Sequence, residues 1–219
     1  MPFTRIEICL FSVLEDKLCV LLGLREREPD ENHWALPGGV LRTDLDDDLD
    51  AAVQRVSLER LNMPLAHAQQ QLAVGGKNRD PRDPWALSIV YRACVRAGSI
   101  TPTAGKRLKN LEWVPVAGVA SLALGHRAMV MQAVHSLRAE VERLQIPFDL
   151  LAPVFTLTEV QRVCEAVLER PQSASRFRQR LKAADLFEPV ADMVTGVGMG
   201  RPAQQYKQKD SPLKAIMPV

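Results

Sequence analysis

A tight loop that feeds a helix constrains this chain most. Trp34-Ala-Leu-Pro-Gly-Gly39 reads as the loop, and the residues from about Asp47 to Leu61 have the spacing of an amphipathic helix. The acidic run Asp44 to Asp50 reads as a solvated helix N-terminus, where carboxylates complement the helix dipole. A metal site in that run is the rival reading. Carboxylates at i, i+3 and i+4 share one helix face, and three of them can hold a hard divalent cation. Here that face is Val56, Glu59 and Arg60. A guanidinium in this place would repel a metal and could itself pair with a phosphate.

Around this stretch the chain alternates. Arg5 to Phe11 and Leu18 to Leu24 read as apolar strands joined by a turn at Glu15-Asp16-Lys17, and Arg25 ends the second. Leu72 to Gly75 reads as a short strand and Gly76 to Pro84 as a polar loop. Trp85 to Val95 and Leu111 to Val116 follow as strands, with Trp34 and Trp85 expected in the core. Apolar spacing at Met129, Val130, Ala133, Val134 and Leu137 predicts a helix from Gly125 to about Leu144. Strands around a central helix predict an α/β sandwich over residues 1–146. Pro147 and Pro153 bracket a boundary, so 147–153 reads as a linker.

Residues 154–209 read as a second, smaller domain, followed by a flexible tail at 210–219. Thr156 to Glu159 is a capping box opening a helix. Ser173 is an N-cap candidate for the next helix, Ala174 to Ala184, with Phe177, Leu181 and Ala184 on its core face. Ser175, Arg176, Arg178, Gln179 and Lys182 point away from that face. A basic helix after a short turn fits a major groove and offers donors to bases and phosphates. Strands near Phe187 and at Gln204 to Lys207, around the glycine-rich Val194 to Pro202, complete a wing that ends at Arg201.

Net charge is +2, but residues 1–149 hold 18 basic and 19 acidic residues against 10 and 7 in 150–219. The positive end is where a polyanion would bind. No apolar run is long enough to span a bilayer, and no secretion signal opens the chain. Four scattered cysteines (Cys9, Cys19, Cys94, Cys164) fit reduced thiols in a cytoplasmic protein.

These strings resemble the Nudix family. Leu36-Pro37-Gly38-Gly39 stand where the Nudix box has LPGG, Arg55 stands on its arginine, and Glu59 on the first of its paired glutamates. Val56 and Arg60 replace two of its carboxylates, Asn62 replaces its glycine, and the box's early glutamate has no clean counterpart. Both halves together resemble the NrtR-type transcriptional regulators of NAD metabolism. Arg79-Asp80-Pro81-Arg82, Phe155-Thr-Leu-Thr-Glu-Val-Gln161, Phe177-Arg178 and Gly200-Arg-Pro-Ala203 with Tyr206 carry that likeness.

The resemblance implies a Nudix α/β/α sandwich followed by a winged helix-turn-helix. It implies a homodimer on palindromic operator DNA near NAD synthesis or salvage genes, with ADP-ribose or a related nucleotide as effector and no required cofactor. Expected at the pyrophosphate are the Gly38 and Gly39 amides, Arg25, Arg42 and Arg60. Arg79, Asp80, Arg82 and His126 are expected at the adenine or ribose end, although His126 reads equally well as a structural helix-start residue. Ser175, Arg176, Arg178, Gln179, Lys182 and Arg201 are expected on DNA.

Two rivals stand beside this reading. One is an active, Mg²⁺-dependent ADP-ribose pyrophosphatase using Glu59. The other is an RNA-binding or protein-interaction module on an inactive Nudix fold.

Overall fold

The computed structural model describes residues 2–190 and 203–209. Expected Arg201, the whole glycine-rich stretch from Val194 to Pro202 and the tail lie outside these residues. The first strand, β1 (Phe3–Leu14), is buried almost throughout, and a turn at Glu15-Asp16, both at positive φ, returns the chain into β2 (Lys17–Arg25). Two short strands follow, β3 (Trp34–Ala35) and β4 (Gly38–Val40). Helix α1 (Leu49–Leu61) starts at Asp48, whose carboxylate accepts from the Ala51 N–H, and stops at Asn62 in the left-handed region. After β5 (Ala68–Asp80), β6 (Asp83–Cys94) and β7 (Leu108–Pro115) comes the long helix α2 (His126–Glu142). No described helix is long and apolar enough to cross a membrane.

Strands β3, β2, β1, β6 and β5 lie in that order, with β4 added to β1 and β7 to β2. Because side chains alternate across a strand, β1 feeds two cores. Ile6, Ile8 and Leu10 pack with Val53, Val56 and Leu61 of α1. Cys9 and Phe11 pack with Met129, Val130, Ala133 and Leu137 of α2. One helix therefore covers each face of the sheet.

The sequence reading needs three corrections here. Gly76 to Pro84 is not a loop: β5 and β6 pair from Ala68↔Ala93 out to Asp80↔Asp83, with a register shift between Lys77 and Asp80. That irregular stretch accommodates Pro84, which has no N–H for the ladder. Trp85 is 42% exposed rather than core, and lies over Gly75. Ser173 occupies the N-cap position of the last helix, but its hydroxyl makes no cap hydrogen bond.

The chain crosses from the sheet domain through a 3₁₀ turn at Phe148–Leu150 that buries Leu150 and Leu151. Strand β8 (Val154–Thr156) leads into α3 (Leu157–Leu168), which has both halves of the capping box at Thr156 and Glu159. Helix α4 (Ala174–Ala184) follows, then β9 (Phe187–Pro189) and β10 (Gln205–Gln208), in sheet order β8-β10-β9. Phe148, Phe155, Phe187 and Tyr206 pack edge-on or tilted against one another, with ring centroids 5.4–6.4 Å apart. Val160, Val163, Phe177 and Leu181 continue the α2-side core, so one apolar cluster runs through both domains.

Candidate ligand cleft and DNA-reading helix

Arg5 and Glu7 sit two residues apart on β1, on the opposite face from Ile6 and Ile8. Both are buried, and Arg5 Nε donates to Glu7 Oε1 at 2.6 Å. Burial alone would raise the Glu7 pKa, but attraction to Arg5, helped by His126, leaves it at about 2. The pair sits under β4. A Cβ on Gly38 would lie 1.7 Å from Glu7 Oε2, so only glycine fits there. Ile8 N–H donates to Pro37 O and Leu41 N–H to Thr4 O, which puts Gly39 in hydrogen-bonded register opposite Ile6. Its amide therefore turns into the sheet. The peptide of Gly38 faces outward, and its carbonyl accepts from Arg60 Nε at 2.8 Å.

Above this floor Arg25, Arg27, Arg60, Arg82 and Arg107 line one cleft with Gly38, Arg5 and a single carboxylate, Glu28. Arg25 and Arg60 are held by main-chain carbonyls, Pro29 O for the first and Gly38 O and Lys106 O for the second. Burial lowers the pKa of both, and neighbouring guanidinium groups lower it further. Such crowded positive charge suits an anion. The free space is about 40 Å³, far below the roughly 300–1,000 Å³ of a site that encloses a small molecule. Arg27, Arg82 and Arg107 are the exposed arginines at this cleft.

The structure brings Arg25, Arg60 and Gly38 together, adds Arg82, which was expected at the adenine or ribose end, and leaves Arg42 out. Arg42 is half exposed and pairs with Asp44 at 2.6 Å. Arg79, Asp80 and His126 line a small adjoining recess with Arg5 and Glu7. Asp80 is buried and clamps Arg82 through both carboxylate oxygens, while Arg82 also lies over the Phe3 ring. His126 is fully buried. Its Nδ1 accepts from the Leu36 N–H at 3.0 Å and its Nε2 lies 3.5 Å from Glu7 Oε1, so it fixes the loop before Gly38.

Arg5, Glu7, Arg27 and Arg107 were not singled out from sequence. Two charges at i and i+2 inside an apolar strand were the signal available for the first pair.

In α1, Val56 is buried in the core. The Glu59 carboxylate lies 3.4–3.6 Å from Arg60, Arg55 and Lys106. Arg55 binds both oxygens of Asp46 and the Val40 carbonyl, tying the acidic loop to the helix. Asp44 and Asp48 are engaged by Arg42 and the Ala51 amide.

In the second domain Ser175, Arg176, Arg178, Gln179 and Lys182 are all exposed along α4. Arg180 points back instead, donating to the Glu142 carbonyl at the end of α2. Nearby, Arg138 of α2 donates to Val167 O and pairs with Glu169, and Arg170 pairs with Glu142. Arg162 of α3 forks onto Asp16 of the β1–β2 turn. Both helices of the helix-turn-helix are thus bolted to the sheet domain.

The NUDIX domain family matches residues 4–133, and the NrtR DNA-binding winged helix domain family matches 147–208. An "ADPR responsive transcriptional repressor NtrR" of Acinetobacter baylyi is 29% identical over 208 residues, 94% of this chain and 82% of that protein. The crystal structure of Shewanella oneidensis NrtR complexed with a 27mer DNA is 28% identical, covers 94% of this chain and 93% of its own, and superposes with a TM-score of 0.76. The Nudix domain of that protein complexed with ADP ribose is 26% identical, covers 63% of this chain and 89% of its own, with a TM-score of 0.58. With the LPGG loop, its helix and a C-terminal winged helix all in place, the chain belongs to the Nudix family and, within it, to the NrtR-type regulators that add a winged helix DNA-binding domain.

Proposed function

We propose that the protein is a homodimeric, cytoplasmic transcriptional repressor of NAD synthesis or salvage genes, whose α4 helices hold operator DNA and whose arginine cleft releases it on binding ADP-ribose. The observation that carries the reading is the joint between the two sites. Helix α2 begins at His126, hydrogen-bonded to Leu36 beside the cleft, and ends at Glu142, whose carbonyl holds Arg180 of α4. A ligand that displaces the Leu36–Gly38 loop therefore acts on the helix that positions the DNA-reading helix. It must bind two arrangements with different affinity to do so.

The residues around Glu59 do not fit Mg²⁺. A hard cation needs several oxygen ligands, and Glu59 is ringed by Arg55, Arg60 and Lys106 with Val56 in the core. We therefore read the cleft as one that binds a pyrophosphate and leaves it intact. Arg25, Arg60 and Arg82 meet the phosphates with the Gly38 amide, and Arg79 and Asp80 lie toward the ribose or adenine.

The test is fluorescence anisotropy of a labelled duplex from upstream of the gene's own operon, titrated with protein and then with ADP-ribose. Tight, salt-sensitive binding that ADP-ribose reverses while remaining unconsumed is the expected result. Mg²⁺-dependent loss of the ADP-ribose, abolished in Glu59→Gln, would overturn it in favour of a hydrolase.

A further inference from the structure

At Arg107 the backbone and the side chain ask for different residues. Arg107 stands third in a tight turn, Gly105 to Leu108, closed by the Leu108 N–H on Gly105 O at 3.2 Å. Its φ is +64°, and a turn that needs positive φ at this place favours glycine or asparagine. An arginine there carries its Cβ into the left-handed region and is strained. Such strain persists where the surrounding structure imposes it, and it gathers at ligand clamps.

The surroundings do impose it. The Thr103, Gly105 and Lys106 N–H groups donate to Leu61 O, Arg60 O and Glu59 O, carbonyls that the end of α1 leaves without helical partners. Gly105 comes so close that a Cβ on it would lie 2.3 Å from Glu59 O. On the other side Arg107 O accepts from the Glu26 N–H, just past β2, at 3.0 Å. The turn is fixed from both sides, and only the Arg107 side chain is left over.

That side chain lines the arginine cleft and makes no hydrogen bond or ion pair among the described residues. Every other arginine of the cleft has a partner: Glu7 for Arg5, Asp80 for Arg82, Glu26 for Arg27, Pro29 O for Arg25 and Gly38 O for Arg60. The Arg107 charge also acts on Arg60, whose pKa burial lowers first and Arg107 lowers further. A free guanidinium held against like charge gains from an anion that enters between them.

We propose that Arg107 is a further phosphate-binding residue of the cleft, and that the chain keeps arginine at a glycine place in the turn so that its guanidinium closes on the ligand's pyrophosphate. The proposal rests on the reading of the cleft as a pyrophosphate site.

The test is Arg107→Gly, with calorimetry of ADP-ribose binding at low and high salt and thermal unfolding of the free chain. Glycine suits the turn, so the unfolding midpoint should equal or exceed the parent's. ADP-ribose should bind about fivefold or more weakly, with a smaller further loss on raising the salt. Arg107→Lys should recover part of the affinity. Arg96→Ala, which removes an exposed charge outside the cleft, should leave the affinity within about twofold of the parent's. A loss below about fivefold in Arg107→Gly, an equal loss in Arg96→Ala, or a lowered midpoint, which would make the arginine a structural part of the turn, would each overturn the proposal. If the parent chain binds neither ADP-ribose nor inorganic pyrophosphate, the pyrophosphate reading of the cleft falls first and the proposal falls with it.

Discussion

At residue scale, Gly38 is the position most tightly determined by its surroundings. Gly38→Ala puts a methyl group onto the Glu7 carboxylate, which Arg5 holds in place. Overpacking of this kind costs about 1–3 kcal/mol, so thermal unfolding should occur several degrees lower than in the parent chain. Gly76→Ala, with nothing within 4 Å of the added carbon, should leave the midpoint nearly unchanged.

Glu7 also sets a pH dependence. Its folded-state pKa of about 2 lies below the ordinary value of 4.5, so its stabilisation is complete above pH 4.5 and is lost as pH falls toward 2. The acid limb of a stability-against-pH curve should be shallower in Glu7→Gln, which will also be less stable at neutral pH because Arg5 loses its partner. Equal slopes in both chains between pH 5 and 2 would remove this role. The sequence made Gly38 legible through its motif but not Glu7, since a strand pattern shows which face a residue takes and not whether a charge there has a buried partner. Arg42 misled for the opposite reason: it is near the loop in sequence, yet Asp44, two residues on, holds it outside the cleft.

At element scale, α2 joins the arginine cleft to α4, which in the proposed function makes it the link between sensing and reading. Arg138 grips α3 through Val167 O and Glu169 and lies away from the cleft. Arg138→Ala should leave direct ADP-ribose affinity within about twofold, while the factor by which ADP-ribose weakens operator binding shrinks by 0.5–2 kcal/mol, roughly 2–30-fold. Calorimetry gives the first quantity and anisotropy with and without ligand the second. An unchanged factor would mean that the two domains communicate by another route. Helix α3 was legible in sequence because it has both a period and a start signal, Thr156 with Glu159, whereas α1 showed through its motif and the Asp48 cap and α2, with no side-chain cap, through its period alone. The β5–β6 hairpin was not, because Gly75-Gly76, Pro81 and Pro84 are turn residues by local chemistry. Here pairing with a partner strand overrides that preference, and the prolines fall at the turn and in the irregular register.

At the scale of the whole molecule, the proposed reading of a palindromic operator takes two copies of the chain. Arg176, Arg178, Gln179 and Lys182 lie exposed on α4, with Arg180 reserved for α2. Arg178→Ala should weaken operator binding and lower its salt slope by about one, whereas Arg180→Ala should act through the set of the helix rather than through the slope. If the operator-bound form is a two-fold dimer, its two α4 helices must meet the duplex about one helical turn apart, roughly 34–36 Å. Inserting half a turn, about 5 base pairs, between the half-sites rotates one of them to the far side of the duplex. Affinity should then fall toward the non-specific level, a loss of 10³-fold or more. Inserting a full turn restores the facing but not the distance, and recovers binding only as far as the dimer can stretch. ADP-ribose should matter least on the half-turn operator, because a duplex held by one winged helix no longer senses the spacing of two. Equal affinity for all three operators would mean that each subunit reads DNA alone, and release by ADP-ribose would then have to come from a change within a single chain.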